Sequence, residues 1–317
     1  MKALVAHGPG DFRLSEVPEP QAPQGGRVVH VEAAGVCAAD RMLWRGDGPW
    51  ELRWPFVPGH EVLGRDAVTG EHLTVEVKLP CGECQWCARG RTNLCPHGTH
   101  IGSGIPGAFA ERLALPATAR VHPVPDTLPL AAAVLAEPAA CALHAVRRAG
   151  VRQGDTVAVI GIGSVGALAL HAARAEGAGA VVAVTRTGAK AALATALGAD
   201  EALDVTSGAC DLADVVLECS GDPEAAARAL DLAVPGGRVG LYGVYRVRAK
   251  IDLNQIAEFK ELTIAGGHLA PGCFPDAIRL LPDIRADLIV TEVRPLDHAV
   301  AALEPSPYPR VKEVLTP

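Results

Sequence analysis

The chain has 317 residues, of which 49% are hydrophobic and 21% charged, and its formal net charge is -7. That length predicts two domains with an ordinary buried core, and the acidic balance argues against a nucleic-acid surface, whose affinity comes mainly from basic contacts with phosphate. Aromatic residues are only 4%, so the core has to be built from Ala, Val and Leu. No apolar run reads as a membrane span or leader: charge returns at Asp11 and Arg13, and the Ala-rich stretch near 128–149 is interrupted by Glu137, Pro138, Arg147 and Arg148. A cytoplasmic location without membrane contact is therefore expected.

Residues 1–136 are rich in Gly, Pro and short β-type runs, with strands expected at 27–33 and 73–77. They read as an irregular, mainly β domain. After Glu137 the pattern changes. A helix is expected over 138–150, a strand at 156–160, a helix at 163–176 and a strand at 180–184. A helix at 190–197, a strand at 215–218, a helix at 223–232 and strands at 237–241 and 263–265 follow. Short apolar strands alternating with helices predict an α/β, doubly wound parallel sheet covered on both faces. Apolar stretches at 286–290 and 310–315 flank a helical segment at 297–303.

The turn Gly161-Ile162-Gly163-Ser164-Val165-Gly166 lies between an expected strand and an expected helix. In that position the spacing is a dinucleotide signature. Gly161 permits a tight turn, Gly163 lets the backbone approach a pyrophosphate, and Gly166 lets helix and strand pack closely. An ordinary Gly-rich βα turn is the alternative. The second strand ends Val184-Thr185-Arg186-Thr187, with no acid to bond ribose hydroxyls. Arg186 can pair with a 2′-phosphate and Thr185 can donate a hydrogen bond, which favours NADP over NAD. A solvated Arg186 beside an NAD site is the other reading. Cys219 and Ser220, after the strand at 215–218, are candidates for the far end of the cofactor.

Nine cysteines in a long chain argue against a disulfide framework. Four of them, Cys81, Cys84, Cys87 and Cys95, fall within fifteen residues, and their spacing predicts a closed, structural tetrathiolate zinc site. A nucleic-acid zinc ribbon and an iron–sulfur site are the competing uses. Cys37, His60, Glu61 and Glu137 are candidates for a second, open site, because a catalytic zinc takes about three protein ligands. Taken singly, Cys37 also fits a buried thiol and His60 a turn residue.

Together these motifs resemble the zinc-containing medium-chain dehydrogenase/reductase family, closest to the sorbitol (polyol) dehydrogenase branch. The resemblance rests on Gly35-Val36-Cys37-Ala38-Ala39-Asp40, Pro58-Gly59-His60-Glu61, the four-cysteine lobe, Gly107-Ala108-Phe109-Ala110-Glu111, Glu137-Pro138 with His144-Ala145-Val146-Arg147-Arg148, and the glycine turn. It covers nearly the whole chain. It implies a GroES-like catalytic domain at 1–136 with the structural-zinc lobe at 81–95. A Rossmann domain would occupy 137–284, and residues 285–317 would return to the catalytic domain. It also implies one catalytic and one structural zinc, with Cys37, His60 and Glu61 as catalytic-zinc ligands, Glu137 near the fourth position and Asp40 in the catalytic set. Homodimers or homotetramers are implied as well. The expected activity is hydride transfer between NAD(P) and a secondary alcohol or ketone, on a polyol, sugar or cyclitol. A threonine-dehydrogenase-like activity, a zinc-independent quinone or enoyl reductase and a catalytically silent nucleotide-binding protein are the alternatives.

Three departures stand out. Ala39 replaces the hydroxyl residue that usually begins the proton relay. The segment from His60 to Cys81 is trimmed and lacks the usual Gly-Asp-Arg-Val stretch. No acid stands at Thr185. Trp44, Trp50, Trp54, Phe56 and Phe109 are expected either to line a pocket or to pack in the core.

Overall fold

Alternating burial along residues 27–36 makes this segment the centre of the first unit. The computed structural model describes residues 1–306 and 310–317. In it the chain separates into residues 1–137 with 269–317, and residues 138–268. In the first unit the strand Arg27–Val36 pairs antiparallel with Glu61–Asp66, with Arg112–Leu115 and with Lys312–Thr316. His72–Val75, Val121–Pro123 and Val290–Pro295 complete a seven-stranded sheet. A separate hairpin joins Lys2–Gly8 to Asp11–Glu16. The core is aliphatic, with Leu4, Val29, Leu73, Leu113 and Leu315 all buried around Phe109. The trimmed segment after His60 is a hairpin whose register pairs Gly64 with Leu73 and Arg65 with His72. Asp66 closes its turn, accepting from the amides of Val68 and Thr69 at 2.9 and 3.0 Å.

The second unit is a six-stranded parallel sheet in the order 201–204, 180–185, 156–160, 213–218, 233–241, 263–266. The order reverses between Thr156–Ile160 and Ala213–Glu218. A doubly wound sheet opens a ligand crevice at the carboxyl ends of such a strand pair. The glycine turn follows one of these strands and Cys219 and Ser220 follow the other, so the topology brings them together.

Two expectations differ from the structure. The chain re-enters the first unit at 269 rather than 285. Phe274, 2% exposed, stacks on His122 of that unit with ring centroids 4.9 Å apart. Helical residues beyond the last parallel strand resemble one more α/β unit until that packing is seen. The edge strand Glu201–Asp204 is an addition to the expected elements, because its residues are half-exposed and too polar to read as sheet. Residues 307–309 of the tail lie outside the described ones.

Candidate active site and cofactor site

Cys37 ends the strand Arg27–Val36 and caps the helix Ala38–Arg45 in an extended conformation. Its N–H donates to Asp40 Oδ2 at 2.8 Å, which ties the first helical turn to the cysteine. Glu61 is brought beside it by register, because Gly35 pairs with Glu61 on one neighbouring strand and with Val314 on the other. This position requires glycine: a Cβ at residue 35 would lie 2.0 Å from Glu61 Oε2. His60 immediately precedes that strand. Ligand atoms of Cys37, His60 and Glu61 all lie within 4.8 Å of one another.

Glu61 and Lys312 are both 1% exposed, and Lys312 Nζ donates to both carboxylate oxygens at 2.6 and 2.7 Å and to Val36 O at 3.2 Å. Burial alone would lower the Lys312 pKa, but Glu61, with Cys37 and Glu137, holds it above the ordinary value. Burial also opposes protonation of His60, yet Asp40, Cys37 and Glu137 raise its pKa well above the usual imidazole range. Asp40 is fully buried; burial raises its pKa against the pull of His60 and the Cys37 amide. Its Oδ1 stands 3.7 Å from His60 Nδ1 and has no hydrogen-bond partner among the described residues. Four groups able to carry negative charge therefore converge on one lysine and one imidazole, an environment that favours a cation. A metal-bound histidine typically donates its other ring N–H to a carboxylate, the place Asp40 Oδ1 occupies. The residues thus fit a metal. Glu137, 5% exposed, acts on His60 and Lys312 electrostatically but does not belong to the 4.8 Å triple. Ala39 sits on the first turn of the helix after Cys37 and offers no hydroxyl.

The four lobe cysteines form a second cluster. Their Sγ–Sγ distances are 3.5 Å for Cys81–Cys95, 3.6 Å for Cys84–Cys87, 3.8 Å for Cys84–Cys95 and 4.0 Å for Cys81–Cys87. A tetrahedron with Zn–S bonds of about 2.3 Å has an edge of about 3.8 Å, so the sulfurs already stand where zinc would need them. The Cys81 N–H donates to Cys95 Sγ at 3.3 Å and, with the His97 amide, brings the Cys95 thiol down to about 6. Lys78, buried and donating to Gly98 O at 3.2 Å, lies close enough to Cys95 to feel its charge.

In the second unit Gly161 has φ +89, and a Cβ there would meet Ser220 Cβ at 2.6 Å; a Cβ at Gly166 would lie 1.9 Å from Gly161 O. Gly163 faces open space and caps the helix Ser164–Ala175. Ser164 Oγ is buried without a partner among the described residues, beside the amides at this helix start. The arrangement fits an anionic pyrophosphate. Ile162 is buried in the turn, and Val165 sits in the first helical turn. Thr185 is buried and its hydroxyl donates to Thr187 O at 3.3 Å, which leaves Arg186, 73% exposed, as the available polar group. Arg186 pairs with Asp222 at 3.0 Å. The fully buried Glu218 sets the opposite loop, accepting from the amides of Ser220 at 2.6 Å and Gly221 at 3.1 Å, from the Ser220 hydroxyl, and from Tyr245 at 2.5 Å. Burial and Glu218 push both the Cys219 thiol and the Tyr245 phenol upward.

Most of the aromatic candidates pack against other side chains. Phe12 meets Trp44 edge-on, Trp54 stacks on Phe56, and Phe109 is fully buried; Trp50 is partly exposed. A small cavity in the first unit is instead lined by Glu137, Glu76, Lys78, Thr92 and Phe274 among others. Of these, the spacing of motifs singles out only Glu137. Lys312 is likewise absent from the motif-based set; its one signal is a pair of charges, Lys312-Glu313, inside an apolar run.

Comparison with known proteins identifies the family. An alcohol dehydrogenase GroES-like domain model matches residues 23–126, and a zinc-binding dehydrogenase model matches residues 164–283. An erythritol/L-threitol dehydrogenase of Mycolicibacterium smegmatis is 34% identical, over 96% of this chain and 93% of that one. A sorbitol dehydrogenase of Halalkalibacterium halodurans is 30% identical, over 100% of this chain and 99% of that one. A structure from Sinorhizobium meliloti, described as a zinc-binding dehydrogenase and solved bound to NADP, superimposes with a TM-score of 0.92 at 31% identity, covering 100% of this chain and 99% of that chain. The chain therefore belongs to the zinc-containing medium-chain dehydrogenase/reductase family and is an oxidoreductase that works with zinc and a nicotinamide nucleotide.

Proposed function

We propose that the protein is an NADP-preferring dehydrogenase of secondary hydroxyls on a polyol, sugar or cyclitol. In this reading Cys37, His60 and Glu61 hold a catalytic zinc, and Cys81, Cys84, Cys87 and Cys95 hold a structural one. The observation that carries it is the Cys37–His60–Glu61 triple with the orphaned Asp40 Oδ1 behind His60. Bound there, zinc supplies Lewis acidity toward a hydroxyl or carbonyl oxygen. Asp40 orients the imidazole, Lys312 balances the Glu61 charge, and Glu137 adds a further negative charge acting on His60 and Lys312. Because Ala39 offers no hydroxyl, the substrate proton leaves by a route that does not pass through residue 39.

Residues 138–268 form the cofactor domain, and residues 1–137 with 269–317 the catalytic one. Gly161 to Gly166 receive the pyrophosphate, and Cys219 and Ser220 border the far end of the cofactor. Arg186 is the group that meets a 2′-phosphate, consistent with NADP in the Sinorhizobium relative. Two relatives named for erythritol/L-threitol and for sorbitol support a polyol substrate. The edge strand Thr263–Gly266 and the exposed Val247, Leu253 and Phe259 support a homodimer or homotetramer built through this unit. No described helix is long and apolar enough to cross a membrane. A tetrathiolate centre needs reduced cysteines, which supports a cytoplasmic setting.

His60→Ala tests the assignment. It is expected to remove one zinc per chain and abolish oxidation of erythritol, sorbitol and inositol with NADP, while the lobe zinc remains. Activity retained with a single zinc per chain overturns it. L-threonine and NAD, run in parallel, report the competing substrate and cofactor.

A further inference from the structure

The helix Ala38–Arg45 that follows Cys37 has eight residues, too few to be stable by itself. Only Asp40 on it is buried, with Leu43 and Trp44 partly covered, so apolar packing alone fixes its position weakly. Arg41 supplies a polar anchor. Its N–H donates to Cys37 O at 3.4 Å, and its guanidinium donates to Glu313 Oε2 at 2.7 Å and to Ala302 O at 3.1 Å. Glu313 is fully buried and pairs with two further guanidiniums, those of Arg294 and Arg310, each at 3.1 Å. One cation would be enough to balance a buried carboxylate, so the other two have a geometric effect: they tie separate segments to one point. Of the three arginines, Arg41 alone lies on the helix that begins at Cys37 and carries Asp40.

Glu313 is joined to the metal site through its own strand as well. Its backbone pairs with Val36, the residue before Cys37, and the preceding Lys312 holds both Glu61 oxygens at 2.6 and 2.7 Å. Successive side chains of a strand point to opposite faces. Lys312 therefore fixes the Glu61 arm of the triple, and Glu313 fixes the Cys37–Asp40 arm. We propose that Arg41 and Glu313 are positioning residues of this site: their ion pair sets where Cys37 and Asp40 stand relative to His60 and Glu61, and so sets the affinity for the metal. The proposal rests on the reading above that the triple holds zinc. Loss of an outer partner of this kind weakens metal binding by about tenfold to hundredfold.

The test compares wild type with Arg41→Met and Arg294→Met, two losses from the same carboxylate of which only the first releases the Cys37 helix. Zinc per chain is measured by mass spectrometry after dialysis against increasing dipicolinate, together with urea unfolding. Arg41→Met is expected to fall from two zincs to one at about tenfold to hundredfold less chelator, while Arg294→Met loses stability but keeps the wild-type midpoint. Cobalt is then added to the one-zinc protein, and its visible bands are expected to shift in Arg41→Met and not in Arg294→Met. Arg41→Lys keeps a cation but cannot bond Glu313 and Ala302 O together, and it is expected to shift the bands in the same direction by less. If Arg41→Met does not fold, Arg41→Lys is read in its place. Equal midpoints in wild type and the Arg41 variants, wild-type cobalt bands in them, or the same changes in Arg294→Met overturn the positioning role and leave the zinc reading intact. A wild type that holds one zinc per chain and takes up no cobalt overturns the zinc reading, and the positioning role with it.

Discussion

Gly35→Ala should dismantle the catalytic metal site without touching its ligands. The new methyl would stand 2.0 Å from Glu61 Oε2, and an ordinary contact is 3.4 Å, so something must move by about 1.4 Å. The carboxylate is not free to yield, because Lys312 holds both oxygens at 2.6 and 2.7 Å in a fully buried pair. If the strands give way, the cost is that of overpacking, about 1–3 kcal/mol. If the ion pair breaks, it rises to about 3–5 kcal/mol. Metal sites tolerate ligand displacements of only about 0.2 Å, so either outcome spoils the Cys37–His60–Glu61 geometry. Zinc measured by mass spectrometry after desalting should fall from two per chain to one, with the lobe cysteines keeping theirs. Urea unfolding should show the loss of stability. In a Glu61→Ala background the same substitution should cost much less, since the 2.0 Å contact is gone and only the residue 61 Cβ at 3.1 Å remains. Two zincs per chain in Gly35→Ala, with stability within about 0.3 kcal/mol of wild type, would refute the reasoning.

Arg186→Ala should raise the KM for NADP about tenfold to hundredfold, the loss of a charge-assisted contact of about 1.5–3 kcal/mol, and leave that for NAD nearly unchanged. Equal changes for both cofactors would remove Arg186 from the 2′-phosphate role. Asp66 gives a pH prediction. The Thr69 and Val68 amides, and the charge of Arg27, hold its carboxyl below the ordinary 3.8. A depressed folded pKa contributes stability above the unfolded value, and that contribution is lost as pH falls through the folded one. The stability difference between wild type and Asp66→Asn should therefore shrink as pH is lowered from about 5 to about 2, read from urea midpoints. Parallel curves would show that the hairpin turn does not depend on this charge.

Features whose parts are close together along the chain are legible from residue order alone. The lobe cysteines lie within one another's reach through short turns, so spacing implies a tetrahedral cage. The glycine turn is equally local, and its flanking strand and helix have clear periods. The trimmed hairpin after His60 follows from turn residues at Thr69 and Gly70. The aromatic residues are ambiguous for a different reason. Composition shows that they are scarce, but only packing shows that Trp44, Trp54 and Phe56 cluster with Phe12. The strand Glu201–Asp204 leaves no sequence signal because an edge strand buries too little surface to print an apolar pattern.

The catalytic site divides along the same line. Cys37, His60, Glu61 and Glu137 can be named from residue type and motif, since ligand chemistry restricts which side chains can serve. That Glu61 shares its carboxylate with Lys312, 251 residues away, is decided by strand register. So are the need for glycine at 35 and the seat of Asp40 behind His60. Thr92, Phe274 and His122 come together through side-chain packing once the chain crosses back at 269. Hydrogen-bond pairing and burial act between segments that sequence order does not bring together, so they choose partners that no local pattern of residues encodes.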